Sequence, residues 1–216
     1  MCDGIVLLGC GGHALVVIDT LDVLGVKIQG YIAPQKSEKD KLCAFEHLGS
    51  DEVLEKLDLE AISLVNCLGS VRSTNLRRIV YQQAKSLGFR FINLIHPGAI
   101  ISSSAHIGEG SQVMAGAIIQ PYAVVGENSI VNTGVIVEHE CKIGDHVHLS
   151  PGVVLSGGSS VGEGTHVGTG ASIIQNIKIG TNVTIGAGAV VTHNIRDNDV
   201  VVGVPAHSIG SNDLLS

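Results

Sequence analysis

Residues 143–168, with the sequence IGDHVHLSPGVVLSGGSSVGEGTHVG, place an aliphatic side chain at every sixth position. The same spacing extends in both directions and covers seventeen consecutive positions, all Ile, Leu or Val. A six-residue period of this kind is typical of a parallel β-helix, in which three repeats make one coil. The sequence therefore predicts a left-handed parallel β-helix over residues 95–216, including a short C-terminal tail. The seventeen positions are Ile95, Ile101, Ile107, Val113, Ile119, Val125, Val131, Val137, Ile143, Leu149, Leu155, Val161, Val167, Ile173, Ile179, Ile185 and Val191.

A prism built from such coils has flat outer faces that a single chain leaves uncovered. Three prisms around a three-fold axis would bury these faces, and cyclic symmetry would close the set of contacts. We therefore expect a homotrimer with its active sites in the clefts between neighbouring subunits.

The residues that precede the repeats alternate between apolar runs and helical patterns. In the third helical pattern, Leu76, Ile79, Val80 and Ala84 share one face, and Gly88 ends the helix. This alternation predicts a small parallel α/β sheet covered on both faces, a Rossmann-like domain over residues 1–94. Strands are predicted over residues 5–8, 27–32, 61–65 and 89–94, and helices over residues 13–24, 51–57 and 74–87.

The turn after the first predicted strand is glycine-rich and has the sequence Gly9-Cys10-Gly11-Gly12-His13. Unpaired backbone N–H groups at the start of the following helix would suit a phosphate, although the glycines could equally serve only to make a tight turn. Two features disfavour a full dinucleotide site. Ala14 replaces the third glycine of the dinucleotide motif, and Ala33-Pro34 stands where an acid would hold a ribose. A nucleotide or nucleotide sugar is therefore favoured over NAD.

The composition excludes several partners. The formal net charge is -7, aromatic residues make up 3% and tryptophan is absent, so nucleic acid is not an expected ligand. No apolar run reaches the ~18 residues of a membrane span, so no membrane insertion is expected. The cysteines are odd in number and scattered, which favours reduced thiols in a cytoplasmic protein. They are Cys2, Cys10, Cys43, Cys67 and Cys141.

One segment of the prism departs from the plain repeat. Residues 138–150 read EHECKIGDHVHLS and contain three histidines. Acyl transfer from a thioester to an amine or hydroxyl needs a general base, and histidine titrates near neutrality. His139 is the candidate base, and a carboxylate from Glu138 or Glu140 could fix its tautomer. The alternative is that His139 is a turn residue with no role.

The remaining histidines have weaker functional interpretations. His148 precedes an inward aliphatic residue, so it should point outward, either toward the thioester carbonyl or simply into solvent. The spacing of the histidines specifies no ligand set, so no metal is expected. Nothing marks Cys141 as an activated nucleophile. Five other histidines are expected to be solvated or to lie at trimer contacts: His106, His146, His166, His193 and His207.

Over nearly its whole length the chain resembles bacterial sugar acyltransferases of the sialic-acid O-acetyltransferase type. Within that group it is most similar to nucleotide-amino-sugar N-acetyltransferases, which make N-acetylated 4-amino-4,6-dideoxy sugars for surface glycans. The resemblance is carried by the Gly9–His13 turn and by four further motifs. These are Asn93-Leu94-Ile95-His96-Pro97, Asn132-Thr133, Glu138-His139-Glu140-Cys141 and Val202-Gly203-Val204-Pro205-Ala206.

This resemblance implies acetyl-CoA as co-substrate and a nucleotide sugar as acceptor. It assigns the base to His139, assisted by Glu140, and direct attack of the sugar 4-amine on the thioester without an acyl-enzyme. It assigns the nucleotide to Gly11, Gly12, His13 and the strand end at Gly69. It assigns acetyl-CoA, on the face toward a neighbouring subunit, to His148, Gly157, Thr169 and Ala187.

Ala33-Pro34 departs from the pair of acids that many members of this group carry at the end of the second strand. The nucleotide is therefore open between UDP, GDP and dTDP. O-acetylation of a sialic-acid-like sugar is the alternative reaction, because a hydroxyl acceptor would use the same base. A non-catalytic scaffold or CoA-binding protein is a lower alternative, which the histidine-rich segment disfavours. Serine acetylation is disfavoured because that family usually has a helical N-terminal domain.

Overall fold

The computed structural model describes residues 4–70 and 73–212, so Cys2 lies outside the described ranges. The N-terminal part alternates strands with helices. Its elements are β1 (Gly4–Leu8), α1 (Gly12–Val23), β2 (Ile28–Ile32), α2 (Asp40–Cys43), β3 (Glu46–Gly49), a 3-10 helix (Asp51–Lys56), β4 (Ile62–Asn66) and α3 (Asn75–Ser86).

These four strands form one parallel sheet in the order β3-β2-β1-β4. The central strand β1 is buried along its whole length because the chain packs against both of its faces. The apolar cluster on one face of the sheet includes Val17 and Leu21 of α1, and the cluster on the other face includes Tyr81 and Ala84 of α3. The sheet is therefore a buried layer between helices, as parallel sheets generally are.

The strand predicted over residues 89–94 is wrong. Phe91 makes only an isolated bridge to Leu64, and the chain then leaves the sheet. The next strand, β5 (Leu94–Ile95), pairs with the β-helix, where Leu94 lies opposite Gln112. The chain has to turn here to enter the first coil, so only one residue stays beside β4. Neither α2 nor β3 was predicted; β3 occupies the opposite edge of the sheet.

The C-terminal part contains a series of two-residue strands joined by turns. After β5 these are β6 (Ile100–Ile101), β7 (His106–Ile107), β8 (Gln112–Val113), β9 (Ile118–Ile119), β10 (Val124–Val125), β11 (Ile130–Val131), β12 (Ile136–Val137), β13 (Lys142–Ile143), β14 (His148–Leu149), β15 (Val154–Leu155), β16 (Ser160–Val161), β17 (His166–Val167), β18 (Ser172–Ile173), β19 (Lys178–Ile179), β20 (Thr184–Ile185) and β21 (Val190–Val191).

Every third strand pairs in parallel, which produces three sheets and confirms the predicted parallel β-helix. Val131, for example, lies opposite Leu149, and Leu149 lies opposite Val167. The aliphatic residue of each repeat points inward and stacks on its equivalent in the next coil. Together these side chains form one continuous apolar core along the prism axis.

The corners of the prism repeat as regularly as the strands. From Gly110 to Gly188, one residue per corner has a positive φ, which glycine adopts at least cost and asparagine tolerates. Gly110, Asn128, His146, Gly164 and Asn182 occupy successive levels of one corner. Regular corners keep the three sheets flat, so residues one coil apart lie directly above one another.

Helix α3 presents a different face to the core from the one predicted. Its buried residues are Arg77, Tyr81 and Ala84, while Leu76 is 63% exposed and Ile79 is 55% exposed. The helix lies against the corner of the prism that holds Asn128. The buried face is therefore the one that can make polar contacts to that corner, and the apolar face is left outside.

The end of the described chain departs from the parallel pattern. Strand β22 (Asp199–Val202) pairs in parallel with β20, and β23 (His207–Ser211) then folds back antiparallel onto β22. Within residues 4–70 and 73–212 the cysteines are free thiols. Among the helices of these residues, none is long and apolar enough to cross a membrane.

Candidate functional site

His139 and Glu140 lie on the corner between β12 and β13. The Nδ1 atom of His139 is 3.1 Å from Oε2 of Glu140, and the two side chains are 59% and 67% exposed. Glu140 has a φ of 59°, a strained conformation for a residue with a Cβ, and its N–H donates to the carbonyl of Pro121. A neutral His139 that donates from Nδ1 to this carboxylate keeps Nε2 as a proton acceptor. The sequence left Glu138 and Glu140 open as partners, and the contact is to Glu140.

Gly157 packs against the ring of His139, one coil further along the same corner. A methyl group at position 157 would lie 2.5 Å from Nε2 of His139, closer than any real contact allows. The N–H of Gly158 also donates to the carbonyl of His139 over 2.9 Å. The absence of a side chain at Gly157 therefore leaves the space that the imidazole occupies. We call His139, Glu140 and Gly157 the open corner.

Cys141, next to this corner, is buried, and its Sγ lies 3.3 Å from the carbonyl oxygen of Ser156. Burial raises the pKa of the Cys141 thiol. A thiol that stays protonated is a poor nucleophile. The geometry therefore agrees with the expectation that Cys141 carries no acyl group.

Thr169 and Ala187 lie together on a different corner, the one that follows β17 and β20. They occupy equivalent places in adjacent coils, and the N–H of Gly188 donates to the carbonyl of Thr169 over 2.8 Å. Both residues are exposed. Of the four residues that the resemblance assigns to acetyl-CoA, these two form a pair, Gly157 lies at the open corner, and His148 lies elsewhere.

His148 lies on the outer side of β14, but a loop of the same chain covers it. It is only 7% exposed, its Nδ1 contacts the hydroxyl of Ser70, and its Nε2 is 3.2 Å from the amide nitrogen of Asn132. Burial lowers the pKa of His148 well below its usual value, and the neighbouring His166 adds to this effect. The outward direction agrees with the sequence, whereas the covering by Ser70 was not foreseen.

The interpretation of His146 as a solvated or trimer-contact residue is wrong, because His146 is buried within its own chain. His146 is 6% exposed, its Nδ1 is 2.9 Å from the amide of Asn128, and its ring packs edge-on against Tyr81. The ring of His166 packs edge-on against His148 at 5.1 Å between centroids. Burial lowers the pKa of His166 to about 4, so this ring is neutral at pH 7. His146 is covered because the N-terminal part packs on this sheet, which the repeat pattern does not indicate, whereas His166 is partly exposed.

The glycine-rich turn meets the β-helix through His13. Gly11 caps α1, and Gly11 and Gly12 are exposed, so backbone N–H groups at the helix start remain open. The amide nitrogen of Gln112 donates to the carbonyl of Asn66, so its oxygen faces Nε2 of His13 at 2.6 Å. Nε2 of His13 is therefore the donor. Burial and the charge of Arg77 lower the pKa of His13 to about 4.

Gly69, the fourth residue assigned to the nucleotide, lies beside His13. A methyl group at position 69 would be 3.2 Å from Cβ of His13. The structure thus brings together the two chain segments that the resemblance assigns to the nucleotide. An open cavity of about 530 Å³ lies along the outer face of α1, lined by Leu15, Val16, Asp19, Lys39, Asp40 and Lys41.

Arg77 is a buried residue that the sequence did not single out. It is 1% exposed and donates to the carbonyls of Asn66, Leu68 and Asn128 over 2.6, 2.9 and 3.1 Å. Burial lowers the pKa of Arg77 to about 9, which leaves it charged at neutral pH. The only feature of the sequence that could have indicated its burial was its helical spacing from Tyr81 and Ala84, with which it shares a face. We call His13, Ser70, Arg77, His148 and His166 the buried junction, because they lie between the N-terminal sheet and the β-helix.

The described residues contain no group of three or more His, Cys, Asp or Glu side chains that could hold a metal. Comparison with family models matches the bacterial transferase hexapeptide (six repeats) family at residues 122–157 and 158–193. No curated protein sequence matches the chain.

Two solved structures resemble the chain over almost all of its length. The acetyltransferase domain of PglB from Neisseria gonorrhoeae FA1090, in complex with acetyl coenzyme A, is 35% identical with a TM-score of 0.90, over 97% of this chain and 100% of that chain. PerB from Caulobacter crescentus, in complex with CoA and GDP-perosamine, is 36% identical with a TM-score of 0.89, over 96% of this chain and 97% of that chain. Together with the hexapeptide match, this likeness shows that the chain belongs to the left-handed β-helix family of sugar acyltransferases.

Proposed function

We propose that this protein is an acetyltransferase that moves the acetyl group of acetyl-CoA onto the amino group of a nucleotide-linked sugar. The observation that carries the proposal is the open corner, where an exposed imidazole is held by a carboxylate and has one nitrogen free. The finer assignment is to the 4-amino group of a 4-amino-4,6-dideoxy sugar used for surface glycans.

The relatives support both substrates. PerB was solved with CoA and GDP-perosamine, and a related structure from the same organism bears the name perosamine N-acetyltransferase. The PglB domain was solved with acetyl coenzyme A. Each exceeds 30% identity and matches this chain from the glycine-rich turn to the last coils, so acetyl-CoA and a nucleotide amino sugar are the substrates to test first.

The reaction requires one proton acceptor and an orienting group. The neutral amine attacks the thioester carbonyl, and a C–N bond forms as the C–S bond breaks. Nε2 of His139 takes the proton that the amine loses, and the sulfur leaves as CoA thiolate. Glu140 accepts a hydrogen bond from Nδ1 and stabilises the imidazolium that results, as the carboxylate of a catalytic triad does. No residue is acylated.

Acetyl-CoA would extend from the open corner to the pair of Thr169 and Ala187. The open corner and the pair of Thr169 and Ala187 lie on two different corners of one prism. A long flexible donor that binds between prisms would contact both corners. This placement supports a homotrimer with its sites in the clefts between subunits. Gly157 would lie beside the reacting thioester, because it touches the base.

The nucleotide would bind to the N-terminal part, which we propose as a Rossmann-like domain ending at residue 94. Open N–H groups at Gly11 and Gly12 suit a phosphate, and His13 and Gly69 form the adjacent wall. Ala33-Pro34 leaves the base unspecified, so UDP, GDP and dTDP are all candidates. Both substrates are metabolites of the cytoplasm, where we propose that the enzyme works.

The test is a CoA-release assay with acetyl-CoA and a panel of acceptors. The panel contains UDP-, GDP- and dTDP-linked 4-amino sugars together with free sialic acids. Turnover with one of the nucleotide amino sugars is the expected result. Turnover with sialic acids alone would contradict N-acetylation and favour the alternative O-acetylation.

The trimer is tested by solution mass at the concentration of the assay. A stable monomer with full activity would contradict sites that lie between subunits. Loss of activity on dilution, in parallel with loss of trimer mass, is the expected result.

A further inference from the structure

We propose that Gln112 is a positioning residue that fixes the tautomer of His13, so that Nδ1 of His13 accepts a hydrogen bond from the sugar of the nucleotide-linked acceptor. This inference deepens the proposed function, on which it rests. Gln112 belongs neither to the family motifs nor to the residues assigned to either substrate. It lies on β8 of the β-helix and is 0% exposed.

The amide of Gln112 has only one orientation that satisfies its neighbours. The carbonyl oxygen of Asn66 can only accept hydrogen bonds, so the NH₂ group of Gln112 faces it, at 2.7 Å. Arg77 donates to the same oxygen over 2.6 Å and holds it in place. Oε1 of Gln112 therefore faces the ring of His13, where it lies 2.6 Å from Nε2. Because an amide oxygen cannot donate, Nε2 of His13 carries a proton.

The tautomer of His13 follows from this contact. The pKa of His13 is about 4, so the ring is neutral at pH 7 and has one donor and one acceptor nitrogen. With the proton on Nε2, the acceptor is Nδ1. Within residues 4–70 and 73–212, Gln112 is the hydrogen-bond partner of this ring, and no other residue there bonds to it. The choice of tautomer therefore depends on Gln112.

Nδ1 of His13 is open to a ligand. It has no hydrogen-bond partner in the described chain, yet it is not enclosed, because the one buried side-chain nitrogen or oxygen without a partner in that part belongs to Arg77. Gly69 borders the ring, and a methyl group there would lie 3.8 Å from Cγ, the atom bonded to Nδ1. Gly12, directly before His13, is exposed. The two glycines therefore leave room beside the ring.

An acceptor nitrogen selects which part of the substrate can bind to it. An ionised phosphate offers only acceptor oxygens, which cannot bond to the lone pair of Nδ1. The open N–H groups of Gly11 and Gly12 suit the phosphates instead. His13 lies against the β-helix, which also carries the proposed base, so the part of the acceptor that reaches Nδ1 is the sugar between the phosphates and the reacting amine. An O–H or N–H of that sugar supplies the hydrogen.

The tautomer is measured by ¹⁵N spectra of histidine-labelled protein without any ligand. The wild type is expected to carry the proton of His13 on Nε2. Gln112→Met keeps the length of the side chain but removes the amide, so the Nε2 proton would be left without its acceptor and should move to Nδ1. A wild-type proton on Nδ1 would overturn the proposal, and so would an unchanged tautomer in Gln112→Met.

Calorimetry then separates the two parts of the acceptor. The probes are UDP, GDP and dTDP, each alone and linked to a 4-amino sugar. For the nucleotide sugar that binds, Gln112→Met should raise the Kd about five- to tenfold, the loss of one hydrogen bond. The Kd of the matching nucleoside diphosphate should change by less than about twofold. Equal weakening of both ligands would place the contact on the nucleotide and contradict the proposal, as would no weakening of either.

The matched control is Thr74→Val, which removes another buried hydrogen bond between the two halves of the chain. Thr74 is 2% exposed and donates to the carbonyl of Gly164 over 2.9 Å. This variant should keep the wild-type tautomer and Kd values within about twofold of wild type. The same effects in both variants would mean that general packing of the halves is responsible, which contradicts a specific role for Gln112.

The two levels of inference fail in different ways. The tautomer of His13 is measured on the free protein, so a proton on Nδ1 counts against the role of Gln112 alone. Failure of every nucleotide amino sugar to bind or to be acetylated, with the proton on Nε2, counts against the proposed acceptor and with it against the sugar contact.

Discussion

The open corner and the buried junction use the same residue type in opposite ways. His139 is 59% exposed, and its Nδ1 pairs with the carboxylate of Glu140 over 3.1 Å. His148 is 7% exposed and pairs with a hydroxyl and an amide, while burial disfavours its charge. The environment of a histidine therefore decides whether it can cycle a proton. One residue can serve as a base, and the other serves as a fixed hydrogen-bonding element.

The largest expected effect is the loss of the base itself. His139→Ala should lower kcat at least about 100-fold with little change in the KM of either substrate, because only proton removal is lost. Steady-state CoA release measures both constants. His193→Ala, at an exposed histidine whose Nδ1 lies 2.9 Å from the hydroxyl of Thr192, is the control and should keep full activity. Nearly intact activity of His139→Ala would show that the open corner holds no base.

Gly157→Ala should have the next largest effect. The new methyl group would occupy the space of the His139 ring and displace it, and small misplacements of catalytic groups are costly. We expect kcat to fall between about 10- and 100-fold. In a His139→Ala background the same change should have little further effect, since the ring is already absent. Additive losses would mean that Gly157 acts independently of the base.

Substitutions of Glu140 should have different effects on activity and on stability. Glu140→Gln is expected to lower kcat about tenfold, because an amide stabilises the imidazolium less than a carboxylate does. Glu140→Gly should lose activity similarly, yet raise the melting temperature by roughly 2–4 °C, since glycine relieves the strain of positive φ. Thermal unfolding and CoA release on the same samples test this. Equal activity of the three proteins would contradict the carboxylate's role.

The buried junction should govern the pH dependence of stability. The pKa values of His13 and His166 are about 4 in the folded protein and 6.5 when exposed. The unfolded state therefore binds more protons between these values, so stability is complete above pH 6.5 and falls as the pH drops toward 4. We expect the melting temperature to fall by at least about 5 °C between pH 7 and pH 5.

Variants identify which residues cause this dependence of the melting temperature on pH. His166→Gln should flatten the dependence on pH, because glutamine does not titrate. His193→Gln should leave it unchanged, because His193 is exposed. If the melting temperature depends on pH in the same way in the wild type and in both variants, the buried histidines do not cause the dependence.

The sequence predicted local features well and contacts between the two halves poorly. The six-residue period specified the β-helix because each inward side chain meets its equivalent in the next coil, so the pattern repeats. The glycine-rich turn and His139 were found in the same way, from neighbouring residues. The buried junction depends on contacts between distant segments, such as His13 with Gln112 and Ser70 with His148.

Helix α3 illustrates the limit most clearly. Periodicity placed Leu76 and Ile79 on its inner face, but the inner face holds Arg77 instead. A buried guanidinium is favourable only where several carbonyls converge on it, and those carbonyls come from β4, the loop after it and a corner of the prism. No window of sequence contains all three partners.

The antiparallel strand β23 has a consequence for self-association. A stack of parallel coils ends in strand edges with unpaired N–H and C=O groups, on which a coil from another molecule could continue. At the last level of the longest sheet, β23 reverses direction and pairs with β22. A further parallel coil would meet a strand running the wrong way. Strand β23 thus prevents end-to-end growth into fibres. The sides of the prism remain available for contacts in a closed oligomer.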